Sequence, residues 1–277
     1  MEIWNHFTFR KDMHPLTTQY ILEKGIRYEY GEIISAVDIS ENDPHWKELV
    51  KLIEREKNSY ISETKFSKSE LLSAEWLQVR SKWYYDYPQP ENEYTNITYT
   101  NENLCSNRDC GIELVQKDAF RFKRTPKWGK RNFCMTNWVY DELFVSTRAK
   151  EMLEKSTLNG FSFVEVKNKS GKEVLNDIYQ LKILNTLSSG IADPTSGINK
   201  IFICPKCGNQ KVRHNGRGQF VFHREVFDGS PDFVKSAEWF GGGAGASKLI
   251  LISQEGYRFI TENLLDSSLV FEPIMLV

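Results

Sequence analysis

Two cysteine pairs, 94 residues apart, constrain the fold of this chain more than any other feature. Cys204-Pro-Lys-Cys207 leaves two residues between its thiols, so a single turn presents both sulfurs to a tetrahedral ion. Cys105 and Cys110 have four residues between them, a looser spacing that zinc-binding loops also use. A glycine follows each pair and permits the tight backbone that turns amide N–H groups toward sulfur. The pattern predicts one structural Zn²⁺ bound by Cys105, Cys110, Cys204 and Cys207.

Four thiolates complete a tetrahedron and leave no position for a substrate water, so such a site is structural and not catalytic. The alternative interpretation is two buried thiol pairs without metal. Cys134 stands alone between Phe133 and Met135, and core packing is its predicted role. His214 and His223 fit no zinc-finger spacing and are predicted to lie at the surface or in a hairpin.

The ends and apolar runs of the chain predict its compartment. The N-terminus lacks the basic start and apolar stretch of a signal peptide. The longest apolar runs, such as Leu249–Ile252, are too short to cross a bilayer. We therefore expect a soluble cytoplasmic protein with no membrane partner, in which the five cysteines stay reduced.

The C-terminal part contains an internal repeat. Glu142–Ser146 and Leu249–Ser253 are apolar strands that each end in a serine suited to cap a helix. At a constant offset of 107 residues, Met152 matches Phe259 on an apolar helix face, and a second strand follows each helix. Between the cysteine pair and the first of these strands, each copy also has a Phe-x-Phe motif, Phe120-x-Phe122 in one and Phe220-x-Phe222 in the other. The pattern predicts two units of zinc knuckle and β-α-β; the alternative is chance similarity of generic elements.

The N-terminal part reads as alternating strands and helices. A strand is predicted over 32–39, a helix after Asp43-Pro44, and a second helix from a capping box at Ser67 to about Arg80. Two prolines near residue 89 then indicate a linker.

Residues 1–104 carry 12 basic and 18 acidic side chains, whereas residues 105–277 carry 24 and 19. We therefore predict the α+β class, with an acidic N-terminal α/β segment over 1–100 and the repeat domain over 101–277.

These motifs resemble the bacterial double-CxxCG family. The resemblance covers about residues 100–277 and is carried by Cys204–Gly208, Asp141–Val166 and Lys248–Ile274. It departs from the family in the C-x₄-C spacing of the first pair and in the N-terminal hundred residues. Some members are described as immunity proteins of polymorphic toxin systems. The resemblance therefore implies a non-catalytic protein whose partner is a cognate toxin.

A rival hypothesis comes from residues 120–133, which hold six basic residues among four aromatic ones. Basic groups beside aromatic rings are what a single-stranded nucleic acid needs, for phosphate neutralisation and base stacking. The simpler interpretation is a β-hairpin with its apolar side chains inward and its charges outward. The alternative function is thus a zinc-ribbon nucleic-acid binder, with contacts from Arg121, Lys123, Arg124, Lys127, Trp128, Lys130 and Arg131.

The sequence predicts no enzyme. The sequence places no general base, nucleophile or open metal site at a recognisable spacing from the carboxylates of Asp141, Glu142 and Glu255. The glycine-rich stretch 241–248 precedes a strand and lacks a G-K-[ST] ending, so it does not match a phosphate loop. A binding function remains the expectation.

Overall fold

The computed structural model of the protein describes residues 1–100, 105–107, 110, 114–192, 197–242 and 245–277. Helices account for 22% and strands for 36% of the structure, which is the α+β composition that the sequence predicts. None of the helices in this described part is long and apolar enough to cross a membrane.

The first 65 residues form a three-stranded antiparallel sheet packed on two helices, with the first strand in the centre of the sheet. Side chains alternate along the first strand, with Phe7 and Phe9 buried between exposed neighbours. Trp46, Leu49 and Ile53 lie on one face of the second helix and pack against these rings. This segment therefore has an apolar core of its own. Its elements are β1 (Glu2–Phe9), α1 (Pro15–Lys24), β2 (Ser35–Ser40), α2 (Trp46–Arg55) and β3 (Ile61–Lys65).

The helix predicted from Ser67 to about Arg80 is shorter than expected. The capping box at Ser67 and Glu70 forms as predicted, but α3 spans only Lys68–Ser73. A strand, β4 (Trp76–Ser81), follows it. Leu77 and Val79 alternate with more polar residues, and this period of two fits a strand whose apolar face enters a sheet core. Tertiary burial therefore decides the state of a segment whose local pattern is ambiguous.

The remaining chain contains most of the strands. The elements in chain order are α4 (Tyr94–Thr98), β5 (Tyr99–Thr100), β6 (Val115–Gln116), β7 (Arg121–Phe122), β8 (Phe133–Thr136), β9 (Val139–Val145), α5 (Thr147–Glu154), β10 (Phe161–Asn168), β11 (Val174–Ile183), β12 (Ile198–Ile203), β13 (Gln210–His214), β14 (Val221–Phe222), β15 (Phe233–Lys235), β16 (Trp239–Phe240), β17 (Ile250–Ser253), α6 (Gln254–Glu262) and β18 (Leu269–Leu276). Strands β5 and β6 pair with each other, and β12-β13-β16 form a small sheet.

The two five-stranded sheets have matching strand orders, β7-β10-β11-β9-β8 and β14-β18-β4-β17-β15. In each sheet one short outer strand pairs in parallel, and all other pairs are antiparallel. The registers also correspond. Gln180 lies opposite Phe144 in the first sheet, and Gln78 lies opposite Leu251 in the second.

The central strands of these sheets come from different parts of the chain. Strand β11 follows directly after β10, whereas β4 precedes the first cysteine pair. The acidic segment 1–100 thus supplies the middle strand of a sheet whose other strands lie between residues 221 and 276. Each central strand precedes a cysteine pair. Strand β11 lies between strands of its own stretch of chain, whereas β4 lies between strands that follow the second cysteine pair.

Two strand–helix–strand stretches, β9-α5-β10 and β17-α6-β18, occur where the sequence places them. The Ser146 hydroxyl accepts the backbone N–H of Ala149 at 3.3 Å, and the Ser253 hydroxyl accepts that of Gly256 at 3.1 Å. Both helices pack onto one shared core. Met152 and Phe259, expected to be buried, are half-buried and pack against that core.

The two capping serines give a first testable prediction. We expect Ser146→Ala and Ser253→Ala each to lower the free energy of unfolding by about 1 kcal/mol, because each leaves a helix N–H without its acceptor. Urea unfolding followed by circular dichroism measures this. Ser188→Ala is the control, since Ser188 is exposed and outside any helix or strand. Equal stabilities for all three variants would contradict the capping role.

Candidate metal centre

The four predicted cysteine ligands come together in the structure. Their Sγ atoms all lie within 4.8 Å of one another. The sulfurs of Cys105 and Cys204 are 3.4 Å apart, and those of Cys110 and Cys207 are 3.7 Å apart. Four sulfurs at about 2.3 Å from a tetrahedral zinc ion would be about 3.8 Å from one another. The donor set and its separations therefore fit a metal ion, and they are compatible with zinc.

The second cysteine pair lies in the turn between β12 and β13. The N–H of Gly208 donates to the carbonyl of Cys204 at 2.9 Å, with Gly208 at a φ of 73° that favours glycine. Hydrogen bonds from the backbone N–H of Cys207 and, to a smaller extent, from that of Lys206 lower the pKa of the Cys204 thiol to about 6. Because the thiolate is the form that binds metal, this turn prepares Cys204 as a ligand.

The first pair is held by a comparable but wider loop. The N–H of Asn107 donates to Cys105 Sγ at 3.5 Å, and the N–H of Cys110 donates to the carbonyl of Asn107 at 2.9 Å. The Asn107 N–H lowers the pKa of Cys105, but desolvation and the sulfurs of Cys204 and Cys207 oppose it, and the net pKa is raised. A divalent cation bound between these sulfurs would offset the repulsion between their thiolate forms. Gly111, predicted to tighten this loop, lies outside the described residues.

The surroundings of the sulfurs are partly apolar. Cys110 and Cys204 are buried, Cys105 is half-buried and Cys207 is exposed. Phe202 and Trp239 pack against the group. The site is thus shielded on one side and reachable from solvent at Cys207.

Lys211 is a neighbour that sequence reasoning missed. Its side chain is fully buried, and its ammonium donates to the carbonyl of Cys110. Four thiolates around a divalent ion carry a net charge of −2, which a buried ammonium offsets. The sequence shows a lysine four residues after Cys207, on the strand that follows the cysteine turn. That this side chain is buried beside the sulfurs is visible only in the fold.

The arrangement is closed. Four sulfur donors fill the tetrahedron, so a metal held here would have no position for a reacting water. Cys134 does not join the group: it lies in a separate core cluster, where burial raises the pKa of its thiol. This chemistry fits a metal that stabilises the fold.

No family model matches the chain, and no curated protein matches it. The resemblance to the double-CxxCG family is therefore carried by the motifs alone.

The basic-aromatic stretch has a different geometry from the one that base stacking needs. Its four rings, those of Phe120, Phe122, Trp128 and Phe133, are buried. The indole N–H of Trp128 donates to the carbonyl of Asp177 at 2.7 Å. The stretch does not form a hairpin, since β7 pairs with β10 and β8 pairs with β9. As the apolar rings pack inward, only the charged groups are available to a nucleic acid.

Three of the basic side chains in that stretch contact neighbouring groups of the protein. Arg121 forms an ion pair with Asp118 at 2.9 Å, and Lys123 forms one with Glu91 at 2.9 Å. The Arg131 guanidinium lies 4.1 Å from the ring centre of Trp83. The exposed basic residues are Lys123, Arg124, Lys127, Lys130 and Arg131.

Proposed function

We propose that this chain is a non-catalytic, zinc-containing binding protein that neutralises a cognate bacterial toxin by occupying it. The observation that carries the proposal is the closed group of four cysteine sulfurs within 4.8 Å of one another. A metal in such a site stabilises structure and performs no chemistry, so activity would come from a surface. The motif resemblance to a family with immunity proteins supports the choice of partner.

The metal would join two distant stretches of chain. One cysteine pair precedes the first five-stranded sheet and the other precedes β14 of the second, so Zn²⁺ would clamp both halves of the C-terminal part. A clamped scaffold loses less conformational entropy when it binds a partner. This fits a protein whose task is tight association.

The N-terminal part supplies a charge suited to a basic partner. Exposed carboxylates on it include those of Glu23, Glu29, Glu32, Glu48 and Glu54. Complementary fields speed the encounter of such a surface with a cationic toxin of the nuclease type. We assign the docking face to this acidic part.

Co-expression with the toxin encoded by an adjacent gene tests the proposal. We expect growth of the host to be restored and the two proteins to co-purify in a complex. Changing three of the exposed carboxylates, at Glu29, Glu32 and Glu54, to Gln should slow association most at low salt, because screening already weakens steering at high salt. Continued killing by the toxin, with no complex formed, would overturn the proposal.

One observation favours the nucleic-acid alternative: five exposed basic side chains lie within residues 123–131. Single-stranded DNA binding as a function of salt distinguishes the two functions. A phosphate-binding protein loses affinity steeply as salt rises, and Lys127→Ala, Lys130→Ala and Arg131→Ala together would flatten that slope. We expect the intact chain to bind single-stranded DNA too weakly to show such a slope.

A further inference from the structure

A cleft of about 870 Å³ is lined by residues of the two five-stranded sheets and of the small sheet β12-β13-β16, which holds the second cysteine pair in one of its turns. Its lining includes residues 139–142 at the start of β9, Lys235, and residues 237–239. This volume is within the range of sites that bind a small molecule or an anchoring side chain. Neither the metal centre nor the acidic face accounts for it.

The walls of the cleft are aromatic. Five aromatic residues line it: Tyr94, Tyr99, Trp138, Tyr140 and Trp239. The rings of Tyr94 and Trp138 are stacked at 6.1 Å with 26° between their planes. Trp138 is 43% exposed, which is a large open surface for an indole. Such rings offer their negative faces to a cation or to a flat group.

Trp138 also has an unfavourable backbone. It is held at a φ of 70° in the turn between β8 and β9. For a bulky residue this left-handed conformation is an outlier that glycine would adopt without strain. Strain of this kind concentrates at functional positions, where the side chain is needed for something besides stability.

The lining of the cleft carries three negative side chains, Asp141, Glu142 and Glu238, against two positive ones, Lys235 and Lys248. The Lys248 ammonium lies 5.3 Å from the ring centre of Trp239. The Lys235 ammonium contacts Glu142 at 2.6 Å and Asp141 at 3.5 Å, so two carboxylates share one cation. Glu238 also lines the cleft. One of its carboxylate oxygens accepts hydrogen bonds from the Ser189 hydroxyl and the Gly190 N–H, both at 2.9 Å. The other oxygen is buried and has no hydrogen-bond partner in the described part of the chain.

We propose that this cleft binds an arginine side chain presented by the partner toxin; this inference rests on the proposed function. A guanidinium is planar, stacks on aromatic faces and pairs with carboxylates through several N–H donors at once. The stem of arginine would pass the aromatic walls, and its head would meet Glu238 and Asp141. An anion would face surplus negative charge here, and an apolar group would leave the Glu238 oxygen unpaired.

The cleft and the metal centre share structural parts. Trp239 packs against the cysteine group and also lines the cleft. Asn209, Gln210 and Val212, which follow the second cysteine pair, line the cleft as well. Removal of the metal should therefore weaken arginine binding in the cleft through these shared residues.

Tryptophan fluorescence of the full-length, zinc-loaded protein tests the inference. The probes are N-acetyl-arginine amide and its neutral isostere N-acetyl-citrulline amide. We expect a saturable change with the arginine probe at about millimolar concentration, and at least about tenfold weaker binding of the citrulline probe. Glu238→Gln should weaken the arginine probe by about tenfold. Glu165→Gln, on β10 and exposed, is the matched control and should leave binding unchanged.

Trp138→Gly guards against a variant that fails to fold. Glycine accepts a φ of 70°, so this variant should keep its zinc content and its circular dichroism spectrum while binding the arginine probe several-fold less tightly. Equal binding of both probes, or unchanged arginine binding in both Glu238→Gln and Trp138→Gly, would overturn the inference.

The toxin assay separates this inference from the proposed function. If Glu238→Gln weakens the toxin complex and the arginine probe together, the arginine belongs to the toxin. If the intact chain protects cells and Glu238→Gln binds toxin equally well, the inference fails and the proposed function stands. If the probe binds but no toxin is neutralised, the proposed function fails, and a free guanidinium compound replaces the toxin as the source of the ligand.

Discussion

Replacing Cys207 with serine should remove most of the zinc from the protein and leave it largely unfolded at room temperature. The Cys207 side chain is exposed, so the change from sulfur to oxygen costs little packing. What it removes is one of four metal ligands. Structural zinc contributes about 10–16 kcal/mol of apparent binding free energy in small peptides, and whole domains have about 5–15 kcal/mol of stability. A loss of about 5 kcal/mol or more is therefore expected.

The measurements are the metal content of the purified protein and its urea unfolding curve, with and without a chelator. The intact protein should contain one zinc ion per chain. Cys134→Ala is the matched control. Cys134 is buried in a separate core cluster, so its loss should cost about 1–2 kcal/mol and leave the zinc content at one. If the intact protein holds no metal, or if Cys207→Ser is as stable as Cys134→Ala, the four sulfurs are not a structural metal site.

The candidate site was predictable as far as it is local. The spacing within each cysteine pair identifies a turn that presents two thiols, and this reading needs no tertiary information. The close approach of Cys105 to Cys204 and of Cys110 to Cys207 depends on how the sheets assemble. The same holds for the buried Lys211 and for the Lys235 ion pairs, because lysine on its own is expected at the surface.

The fold shows the same division. The stretches β9-α5-β10 and β17-α6-β18 follow from apolar spacing and a capping serine, which are properties of neighbouring residues. Strand β4 does not, since its apolar residues continue those of α3 and look like one more turn of helix. Its partners β17 and β18 are about 170–200 residues away in the chain, and no local pattern specifies that pairing.

Strand β4 provides the second large effect. A chain that begins at residue 67 should fold and bind one zinc ion, whereas a chain that begins at residue 101 should do neither. In the full chain β4 pairs with β17 on one side and β18 on the other, and Leu77 and Val79 are fully buried in the shared core. Losing these two side chains alone removes about 3–6 kcal/mol of hydrophobic stabilisation. The unpaired backbone of two neighbouring strands adds to that cost, and the total reaches the stability of an ordinary domain.

The chain that begins at residue 67 is the matched control, because it lacks the three-stranded sheet but keeps β4. The removed part has its own core, and its contacts with the rest of the chain include the half-buried Arg217–Glu41 ion pair and the hydrogen bonds of the Thr64 hydroxyl with the Gly216 carbonyl and the Gly218 N–H. These polar contacts are few beside the two strand pairings that β4 makes. Circular dichroism, gel filtration and zinc content compare the two chains. A synthetic peptide of residues 67–100 added to the shorter chain should restore its fold, since it returns the missing central strand. If the chain that begins at residue 101 is as compact and zinc-loaded as the longer one, β4 is not an integral strand of that sheet. The domain boundary would then lie near residue 100, where the charge of the sequence changes.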